Sequence, residues 1–224
     1  VRIIHFEMDA DQLKQTAHRY HGTVTSYLLA IEFMAAQKAC SKDGMFNIQV
    51  PVNMRKFNGS RTLRNYSMYF FVSQSIRDLP DKEELVRQMN EQIHERGTRE
   101  VLTQMMKTTG ELIRMLRFVP LFLKVPVAQV VYGYLGNSII GSNLSNLGVV
   151  EVPEEMRDRI RHFDFLLSPG KPDRAFCTAV SYGRICRFSV SKATRDPVFE
   201  EEIERLLKED GLQVKTEGSI MYES

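Results

Sequence analysis

The chain begins with a clear alternation. Ile4, Phe6 and Met8 fall on one side and Ile3, His5 and Glu7 on the other, the period of two expected of a strand with one buried face. Asp9 then offers a helix N-cap, and the helix predicted over 11–20 stops at Gly22. Thr23 caps a second helix whose apolar stripe is Tyr27, Leu28, Ile31, Met34 and Ala35. Asp43–Gly44 marks a turn, and Ile48, Val50 and Val52 alternate along a second strand. A polar, basic loop over 55–64 leads to a third strand over 66–73.

Pro80–Asp81 opens a long helical stretch in which Val101, Leu102, Met105, Met106, Leu112, Ile113 and Leu116 recur on one face. Pro120 and Pro126 divide its continuation. The pattern then predicts a strand over 138–145, a loop through Pro153 and a strand over 161–167. A hairpin follows, with arms over 175–181 and 184–191 around Tyr182–Gly183. A helix over 197–208 ends at Gly211, and 212–214 reads as a last short strand. Strands and helices interleave without repeat or linker. The expectation is therefore one α/β domain over residues 1–224, with a mixed sheet flanked by helices mainly on one face.

Charge narrows the partners. A formal net charge of +2 over 224 residues points to neither nucleic acid nor an anionic surface as a general partner. Cys40, Cys177 and Cys186 are too few and too scattered for a disulfide framework, so free thiols in a cytoplasmic setting are expected. The apolar run over 118–135 is interrupted by Pro120, Lys124, Pro126 and Gly133, which argues against a transmembrane span. The chain opens directly on a strand without Met or targeting pattern, as expected of a piece of a longer chain.

Four segments, in order, resemble the second lobe of the superfamily of chloramphenicol acetyltransferase, peptide-synthetase condensation domains and alcohol O-acetyltransferases. They are Gly22-Thr-Val-Thr-Ser-Tyr-Leu-Leu-Ala30; Val50-Pro-Val-Asn-Met-Arg55, with Arg64-Asn65 before an aromatic strand; Ser145-Asn-Leu-Gly148; and Ser181-Tyr-Gly-Arg-Ile-Cys-Arg-Phe-Ser189, followed by a helix ending in Leu206-Leu207. Ser-Asn-Leu-Gly and Pro-Val-Asn-Met-Arg look most like the alcohol O-acetyltransferase branch. The resemblance implies acyl transfer from coenzyme A or a carrier thioester to an alcohol or amine, with acyl-CoA as a co-substrate rather than a tightly bound cofactor. It also implies a histidine base in a His-His-x-x-x-Asp-Gly motif. That motif is missing, since neither Asp43-Gly44 nor Asp210-Gly211 has histidines at the required offset. The family's Asp-Phe-Gly is missing too. The chain is thus expected to be a C-terminal lobe whose partner is an N-terminal lobe of the same protein, and to be inactive alone.

The resemblance places Ser145, Asn146 and Gly148 at a substrate tunnel, with Ser142 and Asn143 of weaker standing; all three residue types also serve in ordinary turns. Arg55, Lys56, Arg61 and Arg64 could hold the phosphates of coenzyme A or of a carrier arm, or form a solvated loop with Arg55 in a structural ion pair. His18 and His21 have chelating spacing without a third ligand, and no metal site is expected. His5 and His162 show no evident Asp partner. The Met-rich stripe reads first as core, then as an adaptable wall for a greasy substrate, then as a helix lying on a lipid surface. An apolar face is expected where the partner lobe docks, with homo-oligomers as its other use. A non-catalytic interaction module with a degenerate fold of this kind is the alternative function.

Overall fold

A computed structural model describes residues 1–40, 44–131, 141–168 and 175–218. The opening alternation becomes β1 (Arg2–Asp9), with Ile4, Phe6 and Met8 buried. Asp9 caps α1 (Ala10–Arg19) by accepting from the backbone N–H groups of Asp11 and Gln12 at 2.9 and 3.0 Å. α1 ends in paired bonds, His21 N–H to His18 and Gly22 N–H to Ala17. The left-handed residue there is His21, at φ 56°, rather than Gly22. Gly22 serves close packing instead: a Cβ would sit 2.3 Å from Val86 Cγ1. Thr23 and Ser26 form a reciprocal capping box at the start of α2 (Val24–Ala39).

β2 (Met45–Asn53), the short helix α3 (Arg55–Asn58) and β3 (Ser67–Ser75) follow. The long helical stretch is not continuous. α4 (Lys82–Arg96) stops at Gly97, and Thr98 caps α5 (Arg99–Leu116), which α6 (Leu121–Val131) follows. β4 (Ser142–Val149) runs four residues beyond its expected end, while its expected start at 138–140 lies outside the described residues. After the short α7 (Glu154–Arg157), no strand forms over 161–167. β5 (Ala175–Tyr182) and β6 (Ile185–Lys192) make the hairpin, turning on Gly183–Arg184 one residue later than predicted. α8 (Val198–Glu209) leads to β7 at Lys215–Gly218, just beyond the predicted 212–214.

The seven strands form one mixed sheet in the order β3-β2-β4-β5-β6-β1-β7. α2 lies over one face among α1, α4 and α8. Asp210, just after α8, ties them together. It accepts from Tyr20 at 2.6 Å and Tyr27 at 2.5 Å, and pairs with Lys82 at 2.7 Å. Burial and this carboxylate raise both phenols, Tyr20 to about 12.

Residues 161–168 cross the opposite face as an irregular strap. They fail to join the sheet because their carbonyls are taken from below: Thr178 Oγ1 donates to Phe165 and Ser191 Oγ to Leu167. The sequence's alternation there was real, but side-chain hydroxyls replaced a neighbouring strand.

Candidate functional site

β2 and β4 are parallel, yet they pair only through Ile48–Ser142 and Gln49–Asn143. Beyond those rungs β4 stays with β5 as far as Val149, and β2 stays with β3 as far as Asn53. The sheet therefore forks, and the fork opens at the carboxyl ends of two parallel strands. Such crevices are where open α/β sheets take ligands, because backbone groups there lose their ladder partners and loops supply side chains.

The β4 side of the fork carries two consecutive triplets, Ser142-Asn143-Leu144 and Ser145-Asn146-Leu147. A three-residue repeat on a strand of period two puts equivalent residues on opposite faces. Ser142 consequently points to the helices, where its Oγ lies 2.9 Å from both Glu32 Oε2 and the Ala175 carbonyl. Asn146 also faces the helices. Its Nδ2 donates to Thr25 Oγ1 at 3.1 Å, and its Oδ1 accepts from Gly148 N–H at 2.9 Å. Gly148 sits at φ 76° where the β4–β5 register shifts, so Asn146 and Gly148 together build a bulge and fasten it to the start of α2.

Asn143 and Ser145 occupy the other face, both buried. Asn143 stands at the last β2–β4 rung, and its Oδ1 is a buried acceptor without a hydrogen-bond partner among the described residues. Orphan buried acceptors are rare and call for a ligand or water. Asn143 thus holds the unpartnered acceptor at the fork, while Ser142 and Asn146 are engaged by the protein itself. The triplet repeat held that signal, had the strand's period been applied to it.

The basic loop lies at the end of β2. Arg55 bonds into its own loop through Nε to the Thr62 carbonyl at 2.8 Å, Nη1 to Asn53 Oδ1 at 3.2 Å, and Nη2 to the Arg64 carbonyl. It fixes the loop's shape through these neutral acceptors, and no carboxylate pairs with it among the described residues. Lys56, Arg61 and Arg64 are exposed around it, with Leu63 at the tip 99% exposed.

A second polar cluster lies under the strap, on β1, β6 and β7. Arg187, almost wholly buried, pairs with Asp164 at 3.0 Å, Glu217 at 2.8 Å and Glu7 at 3.5 Å. Lys215 and Arg187 hold the Glu217 carboxyl down at about 2. Asp164 also stands 3.9 Å from both His5 and His162, supplying the acidic partner that sequence did not reveal. Burial lowers the His5 pKa. His5 Nδ1 meets Ser189 Oγ at 2.8 Å, and the same Nδ1 faces Asp164. A relay needs the serine and the acid on different ring nitrogens, so these three are no catalytic triad. The cluster clasps the strap to the sheet. On α1, His18 is exposed and His21 lies 3.8 Å from Glu83.

Glu32 is wholly buried between α2 and the sheet. Burial lifts its pKa to about 8, so at neutral pH it is a protonated acid able to donate to Ser142 Oγ, which in turn donates to the Ala175 carbonyl. The Cys177 thiol beside it is pushed well up by the same burial.

No protein-family model and no curated protein matches the sequence. Solved structures do match the fold. The condensation domain of the enacyloxin polyketide synthase superposes with a TM-score of 0.55 at 13% identity, over 93% of this chain and 41% of that one. The trichothecene 15-O-acetyltransferase of Fusarium sporotrichioides gives 0.61 at 10% identity, over 93% and 45%. The peptide synthetase FmoA3 gives 0.62 at 14% identity, over 94% and 21%. The chain spans less than half the length of each of these proteins, and it has the fold of a condensation-domain-like lobe.

Proposed function

We propose that this chain, with the fold of a condensation-domain-like lobe, is the C-terminal lobe of a two-lobed acyltransferase. The enzyme would move an acyl group from coenzyme A, or a carrier thioester, to an alcohol or amine. The observation that carries this reading is the fork between β2 and β4, with the buried, unpartnered Asn143 Oδ1 at its last rung. An acyl-pantetheine arm is an extended chain with two amides, suited to the open edge of Leu144–Val149. Asn143 Oδ1 would accept from an amide N–H of the arm, and Ser145 Oγ would donate toward the thioester. Lys56, Arg61 and Arg64, exposed at the end of the parallel neighbour β2, would meet the phosphates of coenzyme A.

The base comes from the other lobe in this reading. It takes the acceptor's proton as the acceptor oxygen or nitrogen attacks the thioester carbonyl, and the tetrahedral intermediate then expels the thiolate. Losing such a base costs about two to four orders of magnitude in rate, so the chain alone is expected to be inactive.

The test is thioester cleavage with acetyl-coenzyme A and a panel of short alcohols, comparing this chain with the longest natural polypeptide that contains it. Turnover is expected only from the longer polypeptide, and Asn143→Ala should lower it while leaving the melting temperature little changed. Turnover by the isolated chain, or none by the longer one, would overturn the proposal.

A further inference from the structure

From Lys107 to Val130 nearly every side chain is exposed, although the stretch is helical for most of its length. The stripe read as core in the sequence is core only at its start, where Leu102 is buried and Met105 packs against the body. It then continues off the body through Leu112, Ile113 and Leu116, all exposed. Phe118 is 87% exposed and Phe122 74%, with Leu121, Leu123, Val125 and Val127 exposed beside them. Soluble monomers seldom expose so many large apolar side chains side by side.

Two features identify what covers it. α5 is amphipathic, and the side opposite its apolar stripe carries Lys107, Glu111 and Arg114, spaced to line up along the helix. With Arg117 and Lys124, this arm holds four cations against one carboxylate. α6 is apolar around its whole circumference apart from Lys124 and Gln129. A helix apolar on all sides is covered all round, either by a protein core, as α2 is, or by lipid; the four cations that accompany α6 on this arm fit an anionic lipid surface. No helix among the described residues is long and apolar enough to cross a membrane, and eleven residues of α6 reach only about 16 Å.

We infer that α5 and α6 form a monotopic anchor that lies in the surface of an anionic lipid bilayer. α6 and the distal stripe of α5 enter the acyl boundary, and Lys107, Arg114, Arg117 and Lys124 stay at the headgroups. The cations give the preference for anionic lipid, and the apolar side chains supply most of the affinity. A soluble acyl donor and a hydrophobic acceptor would then meet at the bilayer surface.

Co-sedimentation of the full chain with vesicles tests this, using phosphatidylcholine alone and phosphatidylcholine mixed with phosphatidylglycerol. The chain is expected to pellet with the mixed vesicles, and in smaller amount as salt is raised. Leu121→Glu with Phe122→Glu should weaken binding by about tenfold or more, and Arg114→Gln with Arg117→Gln by roughly fivefold per cation removed. These positions are exposed, so circular dichroism should be unchanged. A chain that leaves both vesicle types unbound overturns the inference, whether it remains monomeric or self-associates through α6. Binding that ignores both variant pairs overturns it equally.

Discussion

α2 and α6 are both apolar almost all round, yet one is the centre of the core and the other stands in solvent. Their apolar residues do not explain the difference; their polar ones do. In α2 four polar side chains meet fixed partners: Ser26 in the capping box, Thr25 on Asn146, Tyr27 on Asp210 and Glu32 on Ser142. Those bonds set the helix's rotation and height over the sheet. α6 offers Lys124 and Gln129, and Pro126 removes a backbone donor within it. A helix is seated in a protein core when its few polar groups are matched by the surroundings, because unmatched ones cost too much to bury.

Among the polar contacts, the largest effect should come from the bond that seats α2 most widely. Asp210→Ala leaves Lys82, the buried Tyr27 phenol and the half-buried Tyr20 phenol without their shared acceptor. Breaking a buried pair in this way costs about 3–5 kcal/mol. Urea denaturation should show this as a lower midpoint with little change in slope. An effect below about 1 kcal/mol would mean that α2 is held by apolar packing alone.

Next comes Glu32, where the sign can be worked out. Its folded pKa of about 8 lies above the ordinary 4.5. Below 4.5 both states hold the proton. Between 4.5 and 8 the unfolded chain releases it and the folded chain keeps it, so stability falls as pH rises, by up to roughly 1.4 kcal/mol per unit. Above 8 this dependence ends. Glu32→Gln keeps the hydrogen-bonding shape and removes the titration, so the variant should gain on the parent across that window. Parallel stability curves from pH 5 to pH 8.5 would show that Glu32 is ionised in the fold.

Most of the fold was legible, for reasons these residues make plain. Asp9 and Thr23 announced their helices because capping is local chemistry, and β1 and the hairpin alternated because one face is buried. The errors fell where distant groups decided. Nothing near 161–167 signals that Thr178 and Ser191 will take its carbonyls. His5 and Asp164 are remote in sequence, so their proximity was invisible. The Met-rich stripe had the right period for a core helix, but periodicity reports amphipathicity and says nothing of what lies opposite. At the fork, the Ser-Asn-Leu-Gly motif drew attention to β4, but only the fold shows that Asn146 is a fastener and that Asn143 holds the unpartnered acceptor.

That distinction can be sharpened by a smaller effect. Asn146→Ala removes the bond to Thr25 and the bond from Gly148 N–H, and should cost about 1–2 kcal/mol in urea denaturation. Asn143→Ala removes a buried acceptor that has no partner among the described residues, so it should be neutral or slightly stabilising in the isolated chain. If Asn143→Ala proves the more destabilising of the two, Asn143 is a structural residue and the fork loses its candidate ligand.

The smallest effect is the sharpest test of the comparison. Phe33 in α2 is fully buried, and Phe33→Ala should cost about 3–5 kcal/mol, because transfer energy is lost and a cavity is left. Phe122 in α6 is the same residue type in an equally apolar helix, but it is 74% exposed. Truncating it leaves no cavity and removes little contact, so Phe122→Ala should change stability by no more than about 0.5 kcal/mol. The measurement is urea denaturation of both variants at low protein concentration in lipid-free buffer, which keeps self-association and bilayers out of the result. A loss above about 2 kcal/mol for Phe122→Ala would mean that α6 folds back onto the body in solution. The arm would then belong to the core as α2 does, and no apolar medium would be needed to cover it.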